Sequence, residues 1–99
     1  MPTRCFAARF ELTRCHIEIS AGQSHRYRAR LWMQDRAMIR PVLTAAGHLA
    51  EIADDSEDSA LARAVDVLET RFGTLMAAPE PCREPQFHIK DEAAPVRWS

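Results

Sequence analysis

Apolar and polar residues alternate along two neighbouring stretches in the first third of the chain. Cys15, Ile17 and Ile19 alternate with His16, Glu18 and Ser20, and Tyr27, Ala29, Leu31 and Met33 alternate with Arg26, Arg28, Arg30 and Trp32. Successive side chains of a strand point to opposite faces, so each run has one side that favours burial. Ser20-Ala21-Gly22-Gln23-Ser24 lies between them, a turn-rich cluster whose glycine tolerates positive φ. The two runs predict a β-hairpin over 15–33. Face parity excludes a two-residue loop, which would set Ile19 against Arg26 and mix the faces. An odd-length loop sets Ile19 beside Tyr27 and Ile17 beside Ala29, or slides both by two residues. Either register gives Glu18 an arginine neighbour.

Upstream, Phe6, Ala8, Phe10 and Leu12 alternate with Cys5, Ala7, Arg9 and Glu11, which predicts a strand. A helix starting at Thr3, with Phe6 and Phe10 four residues apart, is the competing reading. The apolar phase slips by one residue between Leu12 and Cys15. Thr13-Arg14 therefore either bends one long strand as a bulge or separates two strands.

After Met33 the period changes. Pro41 suits a first helical position better than a helix interior, where it costs ~3 kcal/mol. Gln34–Arg40 is accordingly a connector, with room for a short third strand at Ala37–Ile39. Val42, Ala46, Leu49 and Ala53 share a helical face, predicting a first helix over 41–54 despite Gly47 in its middle. Ser56 is a good N-cap, Glu57 and Asp58 follow it, and Gly73 is a stop signal. Leu61, Val65, Leu68 and Phe72 then form a continuous stripe, predicting a second helix over 57–72. Beyond Met76 prolines punctuate a tail, in which Gln86–Lys90 alternates and suits an edge strand.

These elements predict an α+β fold: an antiparallel hairpin or meander sheet from the N-terminal half, packed on one face by two α-helices. A compact domain over 1–78 precedes the proline-rich tail of 79–99. The expected core is Phe10, Leu12, Ile17, Ile19, Tyr27, Leu31, Val42, Leu49, Ile52, Leu61, Val65, Leu68 and Phe72.

Composition refines this picture little, but charge divides the chain. The net charge of −1 hides eight arginines against three acids in residues 1–40, a net +5, and a net −6 in residues 41–80. Either the two regions complement each other within one molecule, or they face outward and recruit partners. At 99 residues the chain is one domain. No run of 18 apolar residues suggests a membrane span, and the N-terminus lacks the apolar stretch of a secretory signal. Three widely spaced cysteines do not form a disulfide framework, and their odd number suits a reducing compartment, so a cytoplasmic address is expected.

The chemistry-bearing residues are scattered. Cys5, Cys15, His16, His25, His48, Cys82 and His88 include no CxxC or HxxxH spacing, so neither a metal nor another cofactor is expected. Cys15 reads as a small core residue, and Cys82 with His88 falls in the tail. The acids around the junction at 54–58 lack the spacing and glycine of a calcium loop. Phosphate-binding and nucleophile-elbow motifs are missing, and no catalytic residue stands out. One face of the predicted hairpin does collect a candidate binding surface: Arg14, His16, Arg26, Arg28, Arg30 and Trp32. Arginines pair with phosphates and a tryptophan stacks on bases, so this face supports nucleic-acid binding as an alternative. A small non-catalytic protein-binding or regulatory module ranks first, its partner a second copy of itself or another protein, because a short sheet leaves strand edges open. A small enzyme with an unrecognised site ranks third.

Overall fold

A computed structural model describes residues 3–23 and 26–82, and over these the chain forms one six-stranded antiparallel sheet with a single helix on one face. The strands are β1 (Thr3–Arg9), β2 (Arg14–Ala21), β3 (Tyr27–Asp35), β4 (Met38–Pro41), β5 (Glu51–Asp54) and β6 (Glu80–Cys82), and α1 (Glu57–Phe72) lies between β5 and β6. The α+β class follows directly. The sheet order is β4-β3-β2-β1-β6, with β5 also paired to β3.

The hairpin forms where the alternation places it. Ile17 pairs with Leu31, Ile19 with Ala29 and Glu18 with Arg30, the slid one of the two registers that parity allows. Residues 3–9 are a strand rather than a helix, and the phase slip separates two strands. There the Phe10 N–H donates to the Thr13 carbonyl at 2.8 Å, closing the turn between β1 and β2. The connector contains β4, which returns along the end of β3 through a turn in which Arg36 takes a positive φ of 60°.

The expected helix over 41–54 does not exist. The chain there is extended, turns at 44–48 and returns as β5 beside the first half of β3. Leu31 joins the two pieces: its carbonyl accepts from the Val42 N–H at 3.0 Å, and its own N–H donates to the Ala50 carbonyl at 3.2 Å. Two facts defeat the helical period. The far edge of β3 presents a row of unpaired peptide groups, and only an extended chain satisfies them. Gly47 sits at φ +85° in the turn, a left-handed conformation suited to glycine and foreign to a helix interior. Val42 and Ala50 are buried all the same, because an extended chain with a turn also brings them inward.

Among the described residues α1 is the one helix, and its signals are where the sequence places them. The Ser59 N–H donates to Ser56 Oγ at 3.1 Å, and the Gly73 N–H donates to the Glu69 carbonyl at 3.0 Å. Gly73 has φ +92°, and a Cβ there would fall 2.7 Å from a carboxylate oxygen of Glu11. The fully buried line of α1 is Ala60, Ala64 and Leu68, while Leu61, Val65 and Phe72 pack at its flanks. Small residues on the contact line let the helix backbone approach β2, β3 and β5 closely. We expect Ser56→Ala to lower the unfolding free energy by about 1 kcal/mol, the usual value of an N-cap. Urea unfolding should show this as a lower midpoint with an unchanged slope.

The main core lies between α1 and one sheet face. It comprises Phe6, Ala8, Phe10, Cys15, Ile17, Ile19, Ala29, Leu31, Val42, Ala50, Ala60, Ala64 and Leu68, with Tyr27 and Ile52 packed at its margin. Two expected core residues are elsewhere. Leu12 is 75% exposed, because the β1–β2 turn begins after Phe10 and ends the alternation. Leu49 packs on the opposite sheet face, against a smaller cluster of Cys5, Trp32, Ile39 and Cys82. The sheet also continues past residue 78, because β6 pairs antiparallel with β1. The expected strand at 86–90 lies outside the described residues. Among the described residues no helix is long and apolar enough to cross a membrane.

Candidate metal centre and the arginine face

Register fixes what each face of the sheet carries. Arg14, His16, Glu18, Arg28, Arg30 and Trp32 share the face turned away from α1, as the alternation implies. Most of the arginines on it have acidic partners close by. Arg30 Nε meets Glu51 Oε2 at 3.1 Å, with Arg28 and Glu51 at 3.9 Å and Arg26 and Asp55 at 3.9 Å. The acids come from β5 and the segment after it, so part of the opposite charge along the chain is matched within one molecule. Each exposed pair contributes little to stability. Trp32 is only 6% exposed, covered in the cluster with Ile39 and Leu49, and so offers no open ring face for stacking. The six residues therefore do not make one open ribbon: arginines lie around a buried centre.

That centre holds the chemistry. Cys5 in β1 pairs with Cys82 in β6 on one side and with Glu18 in β2 on the other. His16 stands two residues along β2 from Glu18, opposite Ala7, whose small side chain leaves the imidazole room beside it. A ring nitrogen of His16 and the sulfurs of Cys5 and Cys82 all lie within 4.8 Å of one another. Glu18, opposite Cys5 on the same face, is 3% exposed, but its carboxylate oxygens are not among the ligand atoms that lie within 4.8 Å of one another.

The protonation states are set by surroundings. Burial, helped by the neighbouring Cys82 thiol and the Glu18 carboxylate, pushes the Cys5 thiol far above its ordinary range. Burial pushes His16 down, and nearby Arg14 adds to this against the opposing effect of its hydrogen bond to Gln34. The imidazole is thus neutral near neutral pH, and its tautomer can be traced. Gln34 Nε2 donates to the Arg36 carbonyl at 2.8 Å, so the amide oxygen must face His16. His16 Nε2 then donates to Gln34 Oε1 at 3.3 Å, and the ring lone pair resides on Nδ1. A neutral imidazole oriented by a hydrogen bond through its other nitrogen is how histidines bind metals.

Two thiols and an oriented imidazole form a donor set for a thiophilic divalent cation. With metal–sulfur bonds of about 2.3 Å and metal–nitrogen bonds of about 2.0 Å, tetrahedral ligands stand roughly 3.5–3.8 Å apart. Small side-chain movements connect that geometry with the observed spacing. The sequence hides the group because its members are 11 and 66 residues apart and unite only through two strand pairings. Cys15, also a candidate ligand, is buried on the other face, where burial alone raises its thiol to about 12. His48 lies in the 44–48 turn, away from any described ligand cluster, and His25 and His88 lie outside the described residues. Compared with models of known protein families, with curated proteins and with solved structures, the chain has no match.

Proposed function

We propose that this chain is a non-catalytic metal-binding module that holds zinc, or a cation of similar softness, through Cys5, His16 and Cys82. The convergence of two cysteine sulfurs and an imidazole nitrogen within 4.8 Å carries this reading. A water molecule, or the Glu18 carboxylate opposite Cys5 after a change of rotamer, completes the fourth position. The cation neutralises charges that burial otherwise disfavours, and it ties β6 to β1. The reading retains the binding role expected from the sequence but moves its centre from the arginines to the thiols. A reducing compartment, expected from the odd cysteine count, keeps those thiols available as ligands.

The test is titration of the reduced, metal-free protein with Zn²⁺, and with Co²⁺ as a spectroscopic substitute. One equivalent should bind, Co²⁺ should give thiolate charge-transfer absorption, and the thermal midpoint should rise as zinc is added. Cys82→Ser and His16→Asn should each weaken binding by roughly 100-fold or more, the order expected when a ligand or its orientation is lost. Cys15→Ala, on the far face, should bind like the wild type. A wild-type protein that takes up no stoichiometric zinc, or a Cys82→Ser protein of equal affinity, would sink the proposal.

A further inference from the structure

The face that carries the thiols ends in a pair of arginines. Arg9 and Arg14 are direct partners across β1 and β2, so two guanidinium groups project from one spot on the sheet. Like charges directly opposite one another on a sheet are destabilising. Among the described residues Arg4, Arg26, Arg28, Arg30, Arg40 and Arg63 all have an acidic partner within 4 Å. Arg9 and Arg14, like Arg36 and Arg71, have none among the described residues, although Arg9 and Arg14 are the two forced together by register. A cavity of about 230 Å³ lies beside them, lined otherwise by Ala7, Ala8, Ala77, Ala78 and Glu80. A second cleft of about 450 Å³ on the other side is again lined by Arg9 and Arg14, with Glu11 and Thr13 among its walls.

We propose that Arg9 and Arg14 clamp a small tetrahedral oxyanion, the phosphate group of a free ion or of a small phosphate ester. A doubly charged anion converts the repulsion between the arginines into attraction, and guanidinium forks match its oxygens in pairs. The alanines let a group of that size approach the strand backbone, and the cavity has room for a phosphate group and part of an ester beside it. Glu80 opposes the anion from the rim, while Arg14 also acts on His16 two residues along the strand. The oxyanion site borders the thiol centre but does not require it, since none of the thiol ligands lines the cavity.

Titration with inorganic phosphate tests this, followed by thermal shift and by amide chemical shifts, against sodium chloride of equal ionic strength. A chelator is present throughout, so that the outcome is independent of metal binding. The wild type should saturate and be stabilised by phosphate beyond the chloride control. Arg9→Gln combined with Arg14→Gln should weaken binding at least 10-fold, whereas Arg63→Gln, on α1 beside Asp54 at the opposite end of the sheet, should leave it unchanged. Both arginines are exposed, so the double variant keeps its fold, checked by its midpoint in chloride. Glucose 6-phosphate then separates the sources: equal or tighter binding assigns an ester, and weaker binding assigns the free ion. Absence of saturable phosphate binding, or equal binding by the double variant, would overturn the proposal.

Discussion

Replacing Ile17 by alanine lowers the unfolding free energy by about 3–4 kcal/mol, within the range for emptying a buried aliphatic site. Ile17 is fully buried at the centre of β2, paired with Phe6 on one side and Leu31 on the other, beneath α1. Sheet strands hold their spacing through backbone hydrogen bonds, so the cavity cannot collapse easily and the cost stays high. Leu12→Ala is the internal contrast. It removes a side chain of similar size that is three-quarters exposed, and should change stability by less than about 0.5 kcal/mol. Urea denaturation of both variants separates the two values. Similar losses would mean that the packing between sheet and helix is not as described.

The second large effect belongs to alkaline pH. Cys5 and Cys15 are both buried, and both thiols ionise in the folded chain only well above the ordinary value of 9.0, Cys15 at about 12. Above pH 9 the unfolded chain releases these protons while the folded chain keeps them. The unfolded state is then favoured, and stability falls as pH rises. Each thiol contributes a slope of about 1.4 kcal/mol per pH unit, so the two together approach about 2.7 kcal/mol per unit before the folded thiols themselves ionise. Below pH 9 both states hold the protons and this contribution is flat. Unfolding free energies at pH 8, 9, 10 and 11, with reductant and chelator, read the slope directly. Cys15→Ala should roughly halve it. A stability independent of pH between 9 and 11 would contradict the burial of both thiols.

Local signals account for the parts of this fold that can be read from sequence. The alternation of Cys15–Ile19 against Tyr27–Met33 limits the hairpin to two registers, because a slip of one residue would expose Ile17 and Leu31. Ser56 and Gly73 bound α1 because capping is a matter of a few neighbouring peptide groups. The helix expected over 41–54 fails for the opposite reason. Val42, Ala46, Leu49 and Ala53 satisfy a helical period by coincidence, and the deciding partner is the edge of β3 at Tyr27–Leu31, which lies more than ten residues upstream of Val42. Within α1 the large residues mislead: Leu61 and Val65 form the visible stripe, yet Ala60 and Ala64 touch the sheet because close approach favours small side chains. The arginine face is legible from alternation alone, whereas its buried centre is not, since Leu49 and Ile39 cover Trp32 from a segment expected to be helical in part. Cys5, His16 and Cys82 are the least legible of all. Their meeting depends on β6 joining the far edge of the sheet through a crossover of the helix.

That dependence has a consequence for how the protein is made. A zinc finger gathers its ligands within one short segment, which metal can organise as soon as it emerges. Here the first two donors leave the ribosome early, and Cys82 follows roughly 3–13 s later at ordinary synthesis rates. Before then this face of the sheet offers a captured cation only the Cys5 thiolate and the His16 imidazole of the three clustered ligands. On the proposed metal-binding reading, tight loading is deferred until β6 docks on β1, and metal occupancy becomes a record that synthesis and folding through residue 82 are complete.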